Sequence, residues 1–276
     1  MKQKYSSVRS RSLVQMNLSK RFVILMLMVM SPVISALADE GPWPGKKGNF
    51  HGFEQYDFKV GDLNCKMVVP KKEAAGKPWI IRARFFGHEP QTDVALLKAG
   101  FHVAFCDIAG LYGAPEAVAR WDRFYAHLTE KKGFAKKVNL EGMSRGGLIV
   151  YNWAAKNPEK VNCIYGDAPV CDFKSWPKIN PAILKAYKLT EEEARAYSKN
   201  PVDNLAPLVR HKVALIHVVG EADKIVPVAE NSDVIEKRYR ELGGEIKVIR
   251  KPGVGHHPHS LKDPKPIVDF ILEHQK

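Results

Sequence analysis

From about residue 78 onward, short unbroken apolar runs alternate with segments whose apolar residues recur every three or four positions. The first kind of segment predicts buried strands and the second predicts amphipathic helices. Strands are expected at 78–86 (PWIIRARFF), 101–108, 136–143 (KKVNLEGM), 160–167, 211–220 and 245–253. Helices are expected at 92–100, 114–133, 145–158, 230–244 and 264–276. In the second of these, Val118, Trp121, Phe124, Tyr125 and Leu128 share one face. Two earlier runs, FEQYDFKV (53–60) and NCKMVVP (64–70), alternate in character and predict an antiparallel hairpin at a sheet edge. Continuous apolar strands separated by helices predict an α/β fold: a mostly parallel, doubly wound sheet with helices on both faces. The rhythm breaks at about 172–211, where prolines and short helical stretches predict a short helical cap over the C-terminal ends of the strands. Residues 39–54 begin in a Gly/Pro-rich stretch and are expected to be an N-terminal arm before a main domain at 55–276.

The first 38 residues do not belong to this rhythm. Lys2, Lys4, Arg9, Arg11, Lys20 and Arg21 precede an apolar run from Phe22, which ends in Ala36-Leu37-Ala38. That order predicts a secretory signal peptide over 1–38 and a periplasmic or extracellular working form. Ser31-Pro32 interrupts the run, which argues against a retained span and for no stable membrane insertion after cleavage. Loss of these residues takes six positive charges with it, so the formal net charge falls from +13 to +7. The remaining excess favours an acidic substrate or surface, but no basic stripe with interleaved aromatics suggests nucleic acid. Of the four cysteines, Cys106 and Cys163 sit in apolar strand runs and are expected as buried thiols; free thiols are expected for most of the four, with room for one bridge among them.

Chemistry enters with Gly142-Met143-Ser144-Arg145-Gly146-Gly147, where a predicted strand runs directly into a predicted helix. Glycines around a serine at such a turn let backbones crowd in and hold the hydroxyl out beside a helix N-terminus. The backbone N–H of Arg145 is then one natural donor to an oxyanion. A nucleophilic serine needs a base, and the base needs an orienting acid. Asp223 follows the strand 211–220, and His256 follows the strand 245–253 in GVGHHPHS. His257 is the alternative base, and Asp167, after the strand 160–167, is the alternative acid. His256, His257 and His259 are expected to point apart along an extended loop, so no metal and no cofactor are expected.

The G-x-S-x-G-G, G-x-x-D-x-x-V-P and G-x-G-H stretches, in that order, resemble the α/β-hydrolase superfamily over residues 55–276. Within it, the chain looks like the dienelactone-hydrolase and prolyl-oligopeptidase-like esterases. The resemblance implies attack by Ser144, proton transfer by His256 and orientation by Asp223. The His-Gly usual after the third strand is absent, and the chain reads RARFFGHEP. The second oxyanion donor is therefore expected around Phe86 or Gly87. Arg145 beside the serine is similar to the glucuronoyl esterases, so Arg145, Arg84, Trp176 and His257 become candidate substrate contacts. The expected activity is cleavage of a small-molecule or oligosaccharide ester, such as an acetyl or uronate ester. A serine peptidase acting on short peptides, or a non-catalytic binding protein on the same fold, remains the alternative.

Overall fold

The computed structural model describes residues 43–276; the predicted signal peptide and the first residues of the arm lie outside the described residues. The described chain opens with β1 (Lys46–Phe50), β2 (Phe53–Val60) and β3 (Leu63–Val69). It continues with β4 (Trp79–Ala83), α1 (Gln91–Lys98), β5 (His102–Cys106), α2 (Pro115–Ala126), β6 (Val138–Met143), α3 (Gly146–Lys156) and β7 (Val161–Asp167). After α4 (Pro181–Tyr187), α5 (Glu191–Ala196) and α6 (Ala206–Arg210) come β8 (Ala214–Gly220), α7 (Ser232–Glu241), β9 (Ile246–Lys251) and α8 (Lys265–Glu273). The nine strands form one sheet in the order β1-β2-β3-β5-β4-β6-β7-β8-β9. The β1, β2, β3 and β5 neighbours pair antiparallel, and all pairs from β5 to β9 are parallel.

The period-two geometry of a strand sends successive side chains to opposite faces, and both faces here are covered. Met67, Ile81, Leu140 and Ile164 meet α2, α3 and α7 through Trp121, Phe124, Tyr151, Trp153 and Tyr239. Val68, Ile80, Val103 and Tyr165 meet α1 and α8 through Leu96, Leu97, Ile267 and Ile271. All seven residues of β7 and of β8 are buried, which explains their unbroken apolar character. Among the described residues no helix is long and apolar enough to cross a membrane. Cys65, Cys106, Cys163 and Cys171 are all buried free thiols, although Cys65 stands opposite Cys106 in register.

The arm is a correction. Residues 46–50, expected as linker, form strand β1 on the edge of the sheet. Four of its five residues are exposed, so it carries no apolar alternation, and its lysines are what an unpaired edge favours. The stretch 172–211 holds α4, α5 and α6. There Phe173, Ile183, Tyr187 and Ala194 pack with Val170, Leu148 and Val226 in a small apolar cluster of their own.

One polar element is fully inside. Arg82 on β4 is enclosed between Asp93 of α1 and Glu141 of β6, with the Glu141 carboxylate 3.0 Å away. Burial, reinforced by the like-charged Asp93, pushes the Glu141 carboxyl up, and Arg82 opposes this. The same guanidinium donates to the carbonyls of Phe85 (3.2 Å) and His88, so it fixes the loop that follows β4. Arg82→Met is expected to lower stability by about 3–5 kcal/mol, because it strands buried carboxylates without their cation. A urea unfolding midpoint checks this, and a loss below about 1 kcal/mol would contradict it.

Candidate active site

Ser144 sits between β6 and α3 with φ of +50°, a left-handed backbone that a serine adopts only when its surroundings impose it. Its surroundings do so. The Ser144 N–H donates to the Asp167 carbonyl (2.8 Å), and its carbonyl accepts from Gly147 (2.9 Å) and Val170 (2.9 Å). The helix start crosses the neighbouring backbone at close range. A Cβ on Gly146 would lie 2.5 Å from the Ala83 carbonyl oxygen, and one on Gly147 would lie 2.5 Å from that of Val170. The glycines are therefore required by backbone approach.

The Ser144 hydroxyl lies 3.0 Å from His256 Nε2, and His256 Nδ1 lies 2.7 Å from Asp223 Oδ2. The other Asp223 oxygen accepts from the N–H groups of Ile225 (2.8 Å) and Val226 (2.9 Å), which locks the carboxylate after β8. The loop carrying His256 reaches it by pressing against the end of β8, where Ala222 N–H donates to the Val254 carbonyl (2.9 Å). Asp167, the alternative acid, is engaged elsewhere. It accepts from His259 Nδ1 (2.7 Å), Ser260 N–H (2.6 Å) and the Tyr165 hydroxyl (2.5 Å). His257 is exposed and makes no hydrogen bond to serine, whereas His256 does.

Ser144 and His256 open into a cavity of about 370 Å³ lined also by Phe85, Phe86, His88, His257 and His259. A larger cavity, about 450 Å³, lies along β2, β3 and β5 and contains neither Ser144 nor the histidines.

A sequence-family profile described as alpha/beta hydrolase fold matches residues 94–241, more than half of the chain. The chain belongs to the α/β-hydrolase family. This member of the family holds a histidine against the hydroxyl of its strand–helix serine. No curated protein sequence matches it. Its fold is similar to that of Porphyromonas gingivalis dipeptidyl peptidase 4, with 13% identity, TM-score 0.63, and coverage of 84% of this chain and 36% of that one. It is similar to Pyrococcus horikoshii acylaminoacyl peptidase at 14% identity and TM-score 0.63, covering 81% of this chain and 42% of that one. Est1E from Butyrivibrio proteoclasticus is 21% identical with TM-score 0.54, covering 83% of this chain and 98% of that one. The hydrolase thus spans 36% and 42% of the two peptidases and nearly the whole of Est1E.

The remaining expected contacts divide. The N–H groups of Arg145 and Phe86 donate to no other group among the described residues, and Phe86 lines the cavity. Gly87 does not line it, and a Cβ on it would lie 3.7 Å from the Phe50 ring. Arg84 and Arg145 lie over the ring of Phe85, with guanidinium carbons 5.4 and 5.1 Å from its centroid. Burial, then the like charge of Arg145, pulls the Arg84 guanidinium down, and among the described residues its ion-pair partner is Asp107 at 3.9 Å. Trp176 is a correction: it packs half-buried on the cluster of Phe173 and Ile183 and does not line the hydrolase's cavity. The histidines are another. His256, His257 and His259 do not point apart; their ring centroids are 4.7 to 5.1 Å from one another. Two of the three are tied to carboxylates at the ends of adjacent strands, which folds the loop back on itself. Phe85, His88 and His259 were not singled out in the sequence as pocket residues, since nothing in their spacing marks them.

Burial draws the His256 imidazole below its ordinary 6.5, although the Asp223 carboxylate opposes this. A base must be neutral, so kcat/KM of the hydrolase is expected to hold until the pH falls below 6.5 and only then to decline. In Asp223→Asn the charge that raises the imidazole is gone. The acid limb should move to still lower pH, while kcat falls on the order of 10⁴-fold because the tautomer is no longer held. A pH–rate profile of both proteins checks this. An acid limb centred above 6.5 in the native enzyme, or one that rises in the variant, would contradict it.

Proposed function

We propose that this hydrolase is an exported enzyme that cleaves a carboxylic ester, on a small molecule or an oligosaccharide, through an acyl-enzyme on Ser144. The continuous hydrogen-bond relay from Ser144 through His256 to Asp223 carries the proposal. In this reading His256 Nε2 takes the hydroxyl proton as Ser144 Oγ attacks the ester carbonyl. The Arg145 and Phe86 N–H groups meet the oxygen as it becomes negative. His256 then returns the proton to the leaving alcohol, and water attacks the acyl-serine by the same path. Asp223 keeps Nδ1 protonated throughout. The basic leader of residues 1–38 supports export.

The Arg84 and Arg145 pair supports an ester whose sugar presents several acceptor oxygens, as a uronate ester or an acetylated sugar does. The two similar peptidases raise a peptidase reading. Against it, the described residues that line the cavity are Ser144 and aromatic and imidazole groups, with no carboxylate among them to pair with a peptide ammonium.

The test is hydrolysis of p-nitrophenyl acetate, acetylated sugars, a methyl ester of a glucuronate and aminoacyl nitroanilides. The esters should be cleaved and the anilides left intact, and Ser144→Ala should lower kcat/KM by about 10³-fold or more. Equal rates in the variant would overturn the serine mechanism, and preferential cleavage of anilides would replace esterase by peptidase. Arg145→Ala should reduce kcat/KM about tenfold more on the uronate ester than on acetyl esters. An equal loss on both would remove Arg145 from recognition of the uronate ring.

A further inference from the structure

We infer that His256, His257 and His259 form a binding site for a divalent transition metal, with Zn²⁺ as the fitting ion, and that its occupation switches the serine site off. Each of the three offers one ring nitrogen, and these atoms lie within 4.8 Å of one another. Tetrahedral zinc bonds of about 2.0–2.1 Å place nitrogens about 3.4 Å apart, so modest ring rotations close the site. The exposed His257 is the one free to move.

Ligand chemistry and orientation agree. Three imidazoles without a thiolate or carboxylate among them suit zinc or copper and disfavour calcium and magnesium, which take oxygen ligands. His256 and His259 each give Nδ1 to a carboxylate, Asp223 and Asp167, both at 2.7 Å. That arrangement fixes the ring, leaves Nε2 as the electron-pair donor and is how metal-binding histidines are held. This second histidine–carboxylate pair moves no proton in the proposed ester cleavage. His259 faces His256 edge to face at 4.7 Å, on the wall of the same cavity. The neutral His256 already carries its proton on Nδ1, so binding displaces no proton from it. The Nε2 lone pair passes from the Ser144 hydroxyl to the metal, and the fourth position is left to water. Ser144 then has no base. This consequence rests on the triad reading; the binding itself does not.

Calorimetric titration of zinc chloride into the untagged, EDTA-treated chain is the test. One ion per chain should bind, and Ser144→Ala should bind at least as tightly, since its hydroxyl no longer competes for Nε2. His257→Ala, at an exposed position, should weaken binding at least about tenfold. In the native enzyme, ester hydrolysis should fall over the same zinc range and return with EDTA. In His257→Ala, compared with its own zinc-free rate, the inhibition should shift to at least about tenfold higher zinc. Absence of saturable binding, or binding unchanged in His257→Ala, would overturn the site. Binding that leaves hydrolysis intact would overturn the withdrawal of His256. A chain that hydrolyses no ester would still be judged by the two binding variants.

Discussion

Ser144 has to hold a left-handed backbone at the point where β6 turns into α3, and the chain makes room for it on every side. Such a residue stores about 1–3 kcal/mol of strain, which the rest of the fold has to override. Here the override is visible: two backbone hydrogen bonds to the end of β7 and the segment after it, and one from Gly147, clamp Ser144, and Gly146 and Gly147 let α3 start against Ala83 and Val170. Arg84, Phe85 and Ala168, on the flanking loops, also have positive φ. Four of the twelve non-glycine residues with positive φ among the described residues thus stand after the ends of β4, β6 and β7.

The second dependence is electrostatic. Arg82, the cation buried at the end of β4, holds the carbonyls of Phe85 and His88 from beneath, so the wall facing Ser144 is set from inside the protein. On the other side, Asp167 and Asp223 follow the ends of two adjacent strands, and each holds a histidine of the same short loop. One carboxylate aims His256 at Ser144; the other pins His259 beside it. A loop tied at two points, with the two rings 4.7 Å apart, has little freedom, which suits a base whose geometry must be kept before substrate arrives. It also gathers three imidazoles into one cluster.

The parts legible in sequence were those with a strong local signature. Buried strands read as apolar runs because both faces of β7 and β8 are covered. Ser144, Asp223 and His256 read as a set because each follows a strand and is flanked by turn residues. What stayed hidden depended on contacts between distant segments. β1 is exposed and polar, so only its pairing with β2 makes it a strand. Trp176 looked available to a sugar, but the apolar cluster around Phe173 claims it. The histidines seemed to diverge until Asp167, 92 residues from His259, drew that ring inward.

The central claim is that His256, held by Asp223, makes Ser144 a nucleophile. Reaction with a fluorophosphonate followed by peptide mass mapping tests it without assuming any substrate. The account predicts one adduct, on Ser144, formed by the native chain and lost in His256→Ala. An adduct on another residue, or equal labelling of Ser144 in both proteins, would contradict it.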